Sequence, residues 1–203
     1  DFTYHEHLNY FSVLPLSKYL FSIDLEIIRV ESNLSKGGSM KVFIQKIGGK
    51  REVDKTVKTH LNMEREMNDT PKEFFNSYNN RIEKSKSEFI ARINKLKKNK
   101  LVAGYGASAT STTLIYHYNL GNLMSYLVDD FKVKQNLFSP GYLLPVYSSD
   151  YIYKNKPDYI IILAWRYYKN IISKHKSYLK SGGKFIIPLP EFKIYTIENI
   201  EEI

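Results

Sequence analysis

With 203 residues, 43% of them hydrophobic, and no cysteine, the chain can bury one good core or two small ones and carries neither disulfides nor thiolate metal sites. No apolar run reaches the roughly 20 residues of a membrane helix, and no basic-then-apolar leader opens the sequence, so a soluble chain without a membrane partner is expected, with the cytoplasm as its place. The formal charge of +9 suits an anionic partner, whether nucleic acid, a membrane surface or a phosphorylated small molecule, and charge alone does not choose among them. No clustered basic face or nucleic-acid module accompanies it, so nucleic acid is not expected.

The chain opens on "FTYHEHLNYF", residues 2–11, where His5 and His7 flank Glu6 and Tyr4 precedes them. Residue types leave three readings open. His5 and His7, at a strand's period of two, could share a face as half a metal site that lacks its remaining ligands. The cluster could instead pack under a neighbouring domain, or serve as an acid–base group.

Residues 12–22 predict a short helix, and "LEIIRV" from Leu25 is β-rich. After the loop "SNLSKGGS", Met40, Val42 and Ile44 alternate with Lys41, Phe43 and Gln45 as in a strand with one buried face. One helix and two strands do not make an independent core. Residues 1–48 therefore read as the edge of a larger domain.

Residues 49–98 read as a helical connector, or as a helix that forms a dimer. Thr70-Pro71-Lys72-Glu73 is a start signal, with Thr70 as cap, Pro71 in the first turn and Glu73 closing a capping box. Phe75, Tyr78, Ile82, Phe89, Ile93 and Leu96 then form a stripe for packing, and Lys84, Lys86, Lys95, Lys97 and Lys98 its solvated side.

Residues 99–203 predict an α/β unit. "KLVAGYG" is a strand entering a glycine turn, "ASATSTTLIYHYN" a helix, and "LMSYLVDD" a strand ending in Asp129 and Asp130. "PDYIIILAW" is a continuous apolar run of the kind buried in parallel sheets. A helix through "YKNIISKHKSYLK" leads to the buried strand "KFIIPLP". The alternation implies a doubly wound, Rossmann-like parallel sheet with ligands at the carboxyl ends of its strands.

The candidate binding site follows from that placement. Gly104, Tyr105, Gly106, Ala107 and Ser108 lie between strand and helix, where backbone amides can face an anion. Hydroxyls of Ser108, Thr110, Ser111, Thr112 and Thr113 crowd the helix start, and an acid after the next strand commonly meets a ribose hydroxyl. Ala109 occupies the third glycine position of GxGxxG, so a nucleotide-like ligand is favoured and NAD is not compelled. A plain tight turn stays open on the residues alone.

Six ordered blocks, "YHEHLNYFSVLPLSKYL", "GGSMKVFI", "GYGASATSTTL", "VDDFKVKQNLFSPG", "PDYIIILAW" and "GGKFIIPLPE", resemble the S-adenosylmethionine-dependent C-methyltransferases of nucleotide-linked keto-sugars over nearly the whole chain. Family members are similar to three-part proteins: a zinc-binding segment, a methyltransferase domain for the S-adenosylmethionine donor, and a C-terminal Rossmann-like domain for the nucleotide sugar. The resemblance implies that this chain holds the end of the second part and all of the third. Zinc and most of the donor site then belong to a part not represented here, and this chain by itself should not methylate. By the same resemblance, Tyr4, Glu6 and His7 line the reaction centre, with His7 as the base. Gly104 to Ser108 with Asp129, Asp130, Lys132, Lys134, Pro140 and Gly141 form the nucleotide-sugar site. Thr110 stands where the family often has a lysine, and Lys36 where it often has a histidine.

Two other classes compete. One is a non-catalytic nucleotide-sugar-binding module, or a subunit acting in trans. The other is a small NAD-dependent reductase, which lacks a Tyr-x-x-x-Lys pair beside its glycine turn. Oligomeric state is open.

Overall fold

The computed structural model describes residues 4, 6–34, 38–67, 71–96 and 99–200. His5, Lys36, Thr70, Lys97 and Lys98, each given a role above, lie outside the described residues. Contacts divide the chain into two units, Leu8–Arg81 and a larger one made of Asp1–His7 with Ile82–Ile203.

In the smaller unit, helix α1 (Val13–Phe21) precedes strands β1 (Leu25–Asn33) and β2 (Ser39–Lys46), which pair antiparallel. Helix α2 (Lys55–Met67) packs Val57 and Leu61 against Val13, Leu20, Ile27 and Val30. This second helix, placed with the connector in the sequence reading, supplies the apolar face that one helix and two strands lack. Ser12 makes no side-chain cap for α1; the Glu64 carboxylate does, accepting the amides of Val13 and Leu14 at 2.6 Å each. A carboxylate from a distant helix thus satisfies two first-turn donors that have no intrahelical partner.

Helix α3 (Pro71–Leu96) begins at the expected proline. Its apolar stripe is not uniform in environment. Phe75 and Tyr78 are exposed, whereas Phe89 and Ile93 are 1% exposed in the core of the larger unit.

The larger unit is built on a six-stranded sheet. Its strands are β3 (Val102–Tyr105), β4 (Leu127–Val128), β5 (Val146–Tyr147), β6 (Tyr159–Ile162), β7 (Lys184–Ile187) and β8 (Lys193–Tyr195). Their spatial order is β5-β4-β3-β6-β7-β8, parallel except for β8, which runs antiparallel to β7. The order reverses between β3 and β6, as in a Rossmann-like sheet.

Side chains alternate across this sheet with the strand period of two. Val102, Leu127, Val146 and Ile161 face one layer with Phe89 and Ile93 of α3 and with Leu114 and Ile115 of α4 (Ala109–His117). Ala103, Tyr105, Val128, Ile160 and Ile162 face the other, packed by α5 (Tyr151–Asn155), α6 (Tyr168–Lys174) and α7 (Lys176–Lys180). The single helix predicted over "YKNIISKHKSYLK" is two, because His175 leaves helical geometry at φ −113°, ψ 32°. β5, β8 and α5 have no clear mark in the sequence; the two strands are only two and three residues long and carry no periodic signal.

Candidate nucleotide site at the glycine turn

β3 ends at Tyr105 and the chain turns through Gly106 and Ala107 into Ser108, which caps α4 by accepting the Ser111 amide on its hydroxyl. Gly106 has φ +108°, and a Cβ there would sit 2.9 Å from the Cβ of Ala164. Both the backbone conformation and the close approach of the segment after β6 require glycine. The carboxyl ends of β3 and β6 therefore meet, with the amides of Leu163 and Ala164 donating to the Tyr105 carbonyl.

The two aspartates after β4 work on opposite faces. Asp129 turns toward the glycine turn, where its Oδ2 accepts the Ala107 amide at 2.7 Å and its Oδ1 the Phe131 amide at 2.8 Å. Lys134 Nζ stands 3.6 Å from the same Oδ2. Each oxygen keeps a further acceptor position, so the carboxylate can still take a ribose hydroxyl. Asp130 turns to the α6 side, where Tyr105, Ser149 and Lys174 all donate to it. Burial alone would raise its pKa; these three donors together outweigh that and hold it below the ordinary value.

A cleft of about 200 Å³ opens beside the turn. Of the expected residues it is lined by Ala107, Lys134 and Pro140. Thr112, one of the hydroxyls expected at the helix start, and Leu137, Phe138 and Ser139, within the stretch 129–141 that the resemblance implies, line it too; Val146 completes it without any mark in the sequence. Its far wall stands on the edge strand, since Asn136 and Leu137 exchange backbone hydrogen bonds with Val146. Gly141, at φ +73°, shapes the loop by lying under Tyr116, whose hydroxyl occupies the space a Cβ would need.

Other expected residues are placed differently. Gly104 is buried in the middle of β3, its open side filled by Leu127, Met124 and Leu163. Lys132 is exposed in the short 3-10 turn Lys132–Lys134. Trp165 and Arg166 follow β6 at the point of strand reversal, with the guanidinium 4.2 Å above the indole ring. In the sequence "PDYIIILAW" reads as a strand only. The rule that ligands gather beyond the carboxyl ends of the two strands flanking the reversal would have marked both residues.

At the other end, the chain makes a turn in which the His7 amide donates to the Tyr4 carbonyl at 2.9 Å. The Tyr4 hydroxyl and His7 Nε2 are 3.1 Å apart and the two rings lie 4.3 Å centre to centre. Glu6 is exposed between them in sequence. The other half of the histidine pair, His5, lies outside the described residues. Among the described residues no three His, Asp or Glu side chains group as a metal site.

The model of the C-methyltransferase C-terminal domain matches residues 34–190, a span that takes in the glycine turn, both aspartates and the cleft. The chain belongs to that family. It is also 30% identical over 201 residues to the C-methyltransferase NovU of Streptomyces niveus, covering 98% of this chain and 48% of that protein. The family member described here thus spans about half the length of this curated relative. Among solved structures, UDP-D-quinovosamine 4-dehydrogenase from Vibrio fischeri aligns with 17% identity and a TM-score of 0.36, covering 50% of this chain and 97% of the other.

Proposed function

We propose that this chain is the nucleotide-sugar-binding C-terminal part of an S-adenosylmethionine-dependent C-methyltransferase, a cytoplasmic enzyme that methylates the carbon beside the ketone of a nucleotide-linked keto-deoxysugar. The observation that carries the reading is the cleft at the glycine turn, where Ala107, Lys134 and the α4 start converge within the span matched by the family. Lys134 supplies a point charge for a diphosphate. First-turn amides of α4, which have no partner within the helix, favour the same anion.

The chemistry asked of Tyr4, Glu6 and His7 is proton abstraction from carbon. In the His7 tautomer whose Nε2–H donates to Tyr4, the Nδ1 lone pair is the basic one, and the phenolic proton is the one offered to the ketone oxygen. His7 then takes the proton from the carbon as the C–H bond breaks. Tyr4 stabilises the enolate oxygen that develops, and the Glu6 carboxylate favours the imidazolium. The donor, when bound, would supply an electrophilic methyl group. The described residues of Leu8–Arg81 contain no parallel strand leading through a glycine turn into a helix, the arrangement that seats a nucleoside.

Calorimetric titration of the chain with thymidine diphosphate, uridine diphosphate, NAD and S-adenosylmethionine tests the binding half of this reading. Saturable binding of a pyrimidine nucleoside diphosphate is expected. Binding of NAD alone would overturn it in favour of a reductase, and binding of S-adenosylmethionine alone would move the donor to the glycine turn.

A further inference from the structure

Behind the glycine turn, on the α6 side of the sheet, a chain of hydrogen bonds has a single consistent direction. Asp130, held in its ionised form by Lys174, Ser149 and Tyr105, can only accept. Tyr105 therefore spends its hydroxyl proton on Asp130, at 2.9 Å, and can only accept from His175 Nε2 at 3.1 Å. Nε2 must carry a hydrogen. His175 is 1% exposed, and burial followed by the nearby Lys174 pushes its pKa below the ordinary value, so the imidazole is neutral and Nδ1 accepts from the Tyr153 hydroxyl at 2.9 Å. Tyr153 in turn accepts from Ser177 at 3.1 Å. The charged groups acting on the ring are Lys174, Asp130 and Asp150.

This network enters the sheet where α6 and α7 break, at His175 itself. It leaves at two positions flanking the candidate site. Tyr105 is the last residue of β3, directly before Gly106. Asp130 is directly after Asp129, whose carboxylate holds the Ala107 amide.

We propose that His175 is a positioning residue for the glycine turn: as a neutral Nε2–H imidazole it fixes Tyr105 and Asp130, and through them the Ala107 amide that frames the nucleotide site. The part of this inference that concerns ligand affinity rests on the proposed nucleotide reading of the turn; the part that concerns turn geometry does not. Asp130 and the Tyr105 hydroxyl accordingly serve the site from behind rather than by touching the nucleotide.

The test uses the 203-residue chain with amide exchange read at Ala107 and, as a remote reference, at Ile186 of β7. His175→Leu and Tyr105→Phe should each speed exchange at Ala107 on the order of 3- to 10-fold, the value of one lost hydrogen bond, and leave Ile186 unchanged. His175→Gln keeps an amide donor for Tyr105 and should restore most of the protection. Thymidine diphosphate affinity should fall by a similar factor in His175→Leu and recover in His175→Gln. Histidine-selective nitrogen NMR should show the Nε2–H tautomer for His175 at pH 7. An Nδ1–H or charged ring at that pH, unchanged Ala107 exchange in Tyr105→Phe, or a glutamine variant as impaired as the leucine one would each overturn the proposal. If exchange behaves as expected but the wild-type chain binds no nucleoside diphosphate, the nucleotide reading fails and the positioning role stands.

Discussion

The carboxylate of Asp129 accepts the backbone amide of Ala107 at 2.7 Å and thereby ties the end of one parallel strand to the turn that follows its neighbour. Two segments that are 22 residues apart in the chain become one rigid frame at the point where a ligand would meet the α4 start.

Asp129→Ala should lower unfolding free energy by about 1–3 kcal/mol, because two backbone donors lose a charged acceptor. Affinity for thymidine diphosphate should drop at least as much as that of a Lys132→Ala control, since Lys132 lies exposed beyond the turn. Chemical denaturation and titration calorimetry on the two variants make the comparison.

Gly106→Ala should destabilise the larger unit by about 1–3 kcal/mol, the range for a side chain forced into a positive-φ conformation, with the contact to Ala164 adding to it. Gly141→Ala meets the Tyr116 hydroxyl instead. Because Tyr116 is 47% exposed and can move, Tyr116→Ala should recover the steric part of that loss and leave the backbone part. Thermal melts of the double variant measure how much returns.

Acid should destabilise the larger unit in two stages. The folded-state pKa of His175 is below its unfolded value, so the unfolded chain binds more protons as pH falls through about 6.5, and stability declines there. Asp130 is also held below its ordinary value, and its contribution is present above the unfolded carboxylate pKa and lost as pH falls further. The wild-type melting temperature should therefore fall between pH 7 and pH 5, and His175→Gln should flatten that first decline while leaving the second.

Glu64→Ala should cost the smaller unit about 0.5–2 kcal/mol, as for loss of an N-cap, since the amides of Val13 and Leu14 lose their acceptor. Residue-level exchange in α1 should rise before that in β1. Equal acceleration in both elements would assign Glu64 a role in the whole core rather than at the helix end.

Loss of solvent-deuterium exchange at the substrate carbon is expected for His7→Asn in a longer protein that contains this chain and is active. Tyr4→Phe should slow exchange by about 10- to 100-fold, because it removes the group assigned to the enolate oxygen. Unchanged exchange in His7→Asn would reject that residue as the base.

Residue patterning alone carried the parallel sheet. Continuous apolar runs such as that at 159–163 do not tolerate solvent on either face, and a strand running through Gly104 and Gly106 into a hydroxyl-rich helix marks a tight turn at the sheet's carboxyl edge. The start of α3 at Pro71 was equally legible, because proline there gives up no intrahelical bond. Tertiary structure decided the rest. Adjacent aspartates look equivalent in sequence, yet the strand geometry sends Asp129 to the turn and Asp130 to a buried histidine's network. The break at His175 and the cap supplied by Glu64 both depend on partners far away along the chain. Local periodicity records which face of an element is apolar; which polar groups meet across the fold is set by how those faces pack.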